Sequence, residues 1–307
     1  MTLVVARNLA DGPHLVCDSQ LTDPWGRRPN PYSSGALKLV ILHRGLCVGF
    51  DGGDYTARRA ILEIAAGLGT GFDLDEVRRI LAKASRGGTN GFILAALAPA
   101  TVLMQIRDGT VEAPLSGAWL GEQPAFDAFQ RRLAAAGSLR HELQHDLRSH
   151  LAPAERDVAA RILPAMMQLI EDGRFPGVGG MPICVAPSRV GFRYESVAML
   201  GTDPEEAQEG GEDWPEPAWG TASDGRFGYA VRVPGVAGVG AIGAYFPHGR
   251  LGVLYHPGRR ERPLIYRDVG DADFCAAVEE EFGFSFDRRG LGFRPTRSGA
   301  PSLEVGA

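Results

Sequence analysis

Lysine is almost missing from this chain. Of its 32 basic residues only Lys38 and Lys83 are lysine, and the rest are arginine. A genome that favours arginine codons accounts for the bias, but not for the two survivors. A lysine amine is point-like and can lose its proton, whereas arginine stays charged and forks its donors. A lysine kept in such a background therefore marks a position where the amine itself is wanted. Lys83 falls in the helical stretch LDEVRRILAKAS and reads as a solvated face residue. Lys38 sits in the apolar strand pattern GALKLVIL, where that reading is weaker.

Other absences narrow the function further. The four cysteines, Cys17, Cys47, Cys184 and Cys275, are scattered, with no Cys-x-x-Cys and no zinc spacing. A disulfide framework is not expected in so long a chain, and Cys17, Cys47 and Cys184 lie in apolar runs that suit buried free thiols. No apolar run approaches the ~18–20 residues needed to span a bilayer. No basic segment followed by an apolar one opens the chain, so a cytoplasmic protein is expected. The net charge of −5 gives no basic surface for nucleic acid or an anionic membrane. His141-Glu142-Leu143-Gln144-His145 has the His-Glu-x-x-His order, but with His150 it lies in a polar helical stretch and is read as a solvated helix rather than a metal site. The glycines of GVAGVGAIGAY open no helix, which argues against a dinucleotide cradle. Ser188 and Ser223 lack a Gly-x-Ser-x-Gly setting.

What is present is a regular order of elements in 307 residues, enough for one large or two ordinary domains. Thr2–Ala6 and His14–Cys17 flank a turn composition and predict a hairpin. Leu37–Leu42 and Leu46–Phe50 predict a second one, ended by Asp51-Gly52-Gly53. From Asp54 the spacing becomes helical through Leu68, and a second helix is expected over Leu74–Ser85 with Asp73 as its cap. Strands are expected at Phe92–Ala98 and Val102–Ile106, helices from Gln123 and over Ala154–Ile170, and strands at Pro182–Ala186 and Val190–Tyr194. Hairpins followed by paired helices predict an α+β protein, with antiparallel sheets covered by helical layers. Residues 1–200 are read as one domain and the acidic, Pro- and Gly-rich residues 201–220 as a linker or loop. A β-rich extension is expected over 221–290, either separate or completing the first domain, and a mobile tail over 291–307.

The start of the chain carries the chemistry. Methionine before a small residue is readily removed, which would leave Thr2 with a free α-amine. Such an amine has an unperturbed pKa of roughly 7.7–8.0, so an appreciable fraction is neutral near pH 7 and can take the proton of its own hydroxyl. A nucleophile of this kind needs a cation to favour the alkoxide, a carboxylate to hold that cation, and backbone donors for an oxyanion.

Over Thr2 to about Leu68, the motifs TLVVAR, CDSQLT, GALKLVIL and VGFDGGDYTA resemble the proteasome β-subunit family, including its bacterial HslV-type members. The resemblance implies a four-layer αββα sandwich of the N-terminal-nucleophile (Ntn) hydrolases. It implies Thr2 as the nucleophile, Lys38 as its positive neighbour and Asp18 as the residue orienting Lys38. The N–H of Asp51 is the expected oxyanion donor, with Thr22, Gly52 and Gly53 lining a cleft for a peptide or small amide. No metal or organic cofactor is implied. Homo-oligomeric assembly, as rings, and an ATP-dependent unfoldase partner are implied as well. Downstream the pattern departs: Trp119-Leu120-Gly121-Glu122 stands where a Gly-Ser-Gly-Ser-like turn is usual. The 175–181 stretch, FPGVGGM, keeps the glycines of an Asp-x-x-Ser-Gly-Gly motif and loses both polar residues. These losses motivate the alternative of a non-catalytic subunit that serves in binding or assembly.

Overall fold

The computed structural model describes residues 2–21, 35–52, 54–135, 153–195, 197–202, 226–247, 249–257, 263–287, 292–295 and 301–304. They form two compact units, one through Tyr194 together with 237–240, and one from Glu195 onward.

In the first unit the order is β1 (Leu3–Leu9), β2 (Gly12–Asp18), β3 (Leu39–His43), β4 (Leu46–Gly52), α1 (Asp54–Gly67), α2 (Leu74–Ser85), β5 (Asn90–Ala96), β6 (Val102–Arg107), β7 (Thr110–Glu112), β8 (Gly117–Gly121), α3 (Gln123–Ala135), α4 (Pro153–Glu171), β9 (Pro182–Ser188) and β10 (Gly191–Tyr194). Two five-stranded sheets result, β10-β9-β2-β1-β8 and β3-β4-β5-β6-β7. Every pairing in them is antiparallel.

The sheets meet through β1 and β8 of one against β4, β5 and β6 of the other; α3 and α4 pack on the first sheet and α1 and α2 on the second. Covered on both faces, a central strand has no solvent side, so its sequence is continuously apolar instead of alternating. β5, NGFILAA, is buried along its whole length for this reason. The hairpins and helices expected from the sequence are present. β7 and β8 were not anticipated: both are short, and neither shows a clear alternation. The cap of α2 is as expected, with the Asp73 carboxylate accepting from Asp75 N–H at 2.9 Å. Lys83 is exposed on that helix.

The second unit is an antiparallel meander of β11 (Val197–Thr202), β12 (Arg226–Arg232), β13 (Ile242–Phe246), β14 (Leu251–Tyr255) and β15 (Leu264–Tyr266), with α5 (Asp271–Phe282) packed on β14. The glycines of this stretch have a packing role. A Cβ on Gly252 would lie 2.2 Å from Phe274 Cδ2, so the fully buried Phe274 ring of α5 rests on bare backbone. Arg232, on β12, donates through Nε to Asp271 Oδ1 at 3.0 Å and anchors the start of α5. β11 pairs with β12, which places 197–202 with this unit. The linker expected at 201–220 falls, beyond Thr202, outside the described residues. Within 291–307, β16 (Gly292–Pro295) and β17 (Pro301–Glu304) pair antiparallel. Among the described residues no helix is long and apolar enough to cross a membrane.

Candidate active site

The β1–β2 register, with Val4 opposite Cys17, brings Asp18 at the end of β2 beside Leu3 and Thr2. Asp18 Oδ1 accepts the Thr2 hydroxyl at 2.7 Å and the Leu3 N–H at 2.9 Å. Lys38 immediately precedes β3 in the opposite sheet. Its Nζ donates to Asp18 Oδ2 at 2.8 Å and also to Thr2 Oγ1. Thr2, Asp18 and Lys38 expose only 5%, 0% and 3% of their surface. A buried ion pair persists only when its remaining hydrogen-bonding capacity is met, and here it is. Asp18 Oδ2 also accepts the N–H groups of Gln20 (3.1 Å) and Gly179 (3.3 Å). The carboxylate thus serves five donors.

The FPGVGGM stretch, which has no polar side chains to offer, contributes backbone groups. Gly179 carbonyl accepts from Ser19 N–H at 3.2 Å and Gln20 N–H at 3.0 Å. Met181 N–H donates to Ser19 Oγ at 2.8 Å, and Gln20 Nε2 to the Pro176 carbonyl at 3.2 Å. Ser19, fully buried, is therefore part of the frame that holds Asp18. Tyr194 ties β10 to the other sheet just past Lys38, donating to the Leu39 carbonyl at 2.8 Å. Burial pushes its phenol pKa well up, which keeps it a neutral donor. Burial, reinforced by Asp18 and opposed by Lys38, likewise pushes up the Cys17 thiol, an inert neighbour rather than a second nucleophile.

Asp51 and Gly52 end β4. In an antiparallel strand successive N–H groups face opposite neighbours. Leu97 N–H reaches Gly45 carbonyl, so Gly45 faces β5 and, two by two, so does Asp51. Phe50 N–H donates to the Lys38 carbonyl, so Phe50 and then Gly52 face the side of β3. The Asp51 N–H is thereby turned toward β5, and its carboxylate accepts the Gly91 N–H at 2.7 Å. The Gly52 N–H is turned toward the side on which Lys38 lies. Thr22 and Gly53 lie outside the described residues.

β8 supplies the other wall beside Thr2. Leu3 pairs with Gly121, whose φ of +111° and close approach demand glycine: a Cβ there would sit 1.8 Å from the Thr2 carbonyl oxygen. Glu122 follows directly. β8, which brings Gly121 beside Thr2, was not anticipated from the sequence. Chemically, a hydroxyl held between a buried ammonium and a buried carboxylate is placed to become a stabilised alkoxide. Among the described residues no group of three or more His, Cys, Asp or Glu is placed to hold a metal ion.

No family model matches the chain, and no curated protein matches it. Among solved structures it is similar to the Anbu (Gly-1) mutant from Hyphomicrobium sp. strain MC1, at 16% identity and a TM-score of 0.45 over 64% of this chain and 85% of that one. At that level of similarity, nothing about the site is carried over from that protein.

Proposed function

We propose that the chain is a proteasome-like Ntn hydrolase that cleaves amide bonds with Thr2 after removal of Met1. One observation carries the reading: the Thr2 hydroxyl, the Lys38 ammonium and the Asp18 carboxylate form one buried, mutually hydrogen-bonded cluster. The two packed sheets with a helix pair on each outer face support the four-layer αββα sandwich of that class.

In this mechanism the Thr2 oxygen attacks the substrate carbonyl carbon while its proton passes to the α-amine, directly or through water. Lys38 stabilises the developing alkoxide, and Asp18 fixes Lys38 and the Thr2 side chain in register. The oxyanion is held by the Gly52 N–H, since the alternation of β4 turns the Asp51 N–H away; Asp51 instead fixes the strand end through Gly91. The C–N bond breaks as the α-ammonium returns its proton to the leaving amine, leaving an ester on Thr2. Water, deprotonated by the α-amine, then cleaves the ester, releases the acid and restores the hydroxyl. The steps need no metal or organic cofactor.

Through the family resemblance the proposed substrate is an extended peptide or a small amide, with Gly52 in its cleft together with Thr22 and Gly53, which lie outside the described residues. Assembly of the chain with copies of itself into rings, a cytoplasmic location and delivery of substrate by an ATP-dependent unfoldase belong to this proposal through the family resemblance. The test is turnover of a peptide-amide library by wild type and by Thr2→Ala. Loss of turnover in the variant is expected; equal turnover would refute the role of Thr2.

A further inference from the structure

Glu122 is half-buried between β8 and α3, and its carbonyl accepts the Phe126 N–H at 3.0 Å. One of its carboxylate oxygens, Oε1, is buried without a hydrogen-bond partner. An acceptor taken out of water without a donor is unfavourable, and a carboxylate oxygen most of all. The β1–β8 pairing ends with Leu3 opposite Gly121, so Thr2 and Glu122 are the residues next beyond it on the two strands. While Thr2 is joined to Met1 its nitrogen carries one N–H and no charge. Freed, it carries up to three N–H donors and a positive charge.

The other charged groups around that nitrogen come from β2, the segment before β3, and β4. Asp18 already serves five donors, Lys38 is a cation, and Asp51 accepts from Gly91. Arg107, on β6, is turned to β8, donating to the Trp119 carbonyl at 2.9 Å with its guanidinium over the Trp119 ring. Of these groups Glu122 alone is an anion with an unoccupied buried acceptor. We propose that Glu122 is a positioning residue for hydrolysis at Thr2, its carboxylate holding the α-amine that Met1 removal exposes. This inference rests on the Ntn-hydrolase reading. It gives the amine a support that the FPGVGGM stretch, without polar side chains, does not provide.

An anion beside an ammonium favours the protonated form. The experiment follows the Thr2 Cα chemical shift against pH in full-length protein labelled with 13C-threonine, assigned by its loss in Thr2→Ser. N-terminal processing is first verified by mass. Wild type, Glu122→Gln and Glu122→Asp are compared. Glu122→Gln is expected to lower the midpoint of the amine by about half a pH unit or more, and Glu122→Asp to fall between the two. Should the Gln variant not fold, the Asp variant carries the comparison against wild type. Coincident midpoints in processed protein would overturn the role of Glu122, while Thr2-dependent turnover, measured separately, would stand. In a chain that keeps Met1 the Thr2 nitrogen is an amide with no basic amine, and that result overturns both.

Discussion

Replacing either charge of the Lys38–Asp18 pair should weaken the first unit strongly and unequally. Both groups are nearly inaccessible to solvent. Removing one partner of a buried pair strands the other and costs about 3–5 kcal/mol, against a total domain stability of roughly 5–15 kcal/mol. In Lys38→Met the carboxylate keeps four of its five donors, the Thr2 hydroxyl and the N–H groups of Leu3, Gln20 and Gly179, so the cost should lie near the lower figure. In Asp18→Asn the outcome is worse. Whichever way the amide turns, its NH2 faces at least one backbone N–H, either that of Leu3 or those of Gln20 and Gly179, and Lys38 loses its anion. Hydrogen exchange of the β1 and β2 peptides, read by mass spectrometry, isolates this unit from the second one. A loss of about 3 kcal/mol corresponds to roughly a hundredfold drop in protection. Asp18→Asn should exceed Lys38→Met, and the double variant should fall well short of their sum because the two groups share one interaction. Protection in both variants within about threefold of wild type would refute the buried pair.

Gly121→Ala should destabilise the protein by about 1–3 kcal/mol, because a positive φ and a clash with the Thr2 carbonyl coincide. A thermal melt would show this, and turnover should fall further than the melt alone explains, since Thr2 itself is displaced. Among the thiols, Cys17, Cys47 and Cys184 are buried and Cys275 is half-buried. Burial pushes the thiols of Cys17 and Cys47 well up, so little thiolate is present. A thiol reagent at mildly alkaline pH should modify Cys275 first and the other three only on unfolding, and peptide mapping would reveal the order. Early labelling of Cys17 would show that the cluster beside it is open to solvent.

Thr2, Asp18 and Lys38 were singled out together by the order of motifs that resembles the proteasome β-subunit family, and the structure brings them into one hydrogen-bonded cluster. Lys38 stood out most, as one of two lysines in the chain. The hairpins and helices were legible because hydrophobic spacing is local. What escaped is what depends on pairing between distant strands. β8 is a five-residue segment, GAWLG, held by its register with β1 and not by its own pattern. With β8 unseen, Gly121 could not be placed beside Thr2. The direction of the Asp51 and Gly52 N–H groups likewise follows from the alternation of β4 between β3 and β5, which sequence spacing does not encode. The support of Asp18 by Gly179 and Ser19 is a backbone matter; it leaves no side-chain signature at the glycines.

Every step at Thr2 requires that its nitrogen be free. Mass spectrometry of the N-terminal peptide from purified protein decides this. A peptide beginning at Thr2, lighter by one methionine and carrying an unmodified amine, is the expected result; a peptide that retains Met1, or whose Thr2 amine is blocked, would contradict hydrolysis by this residue.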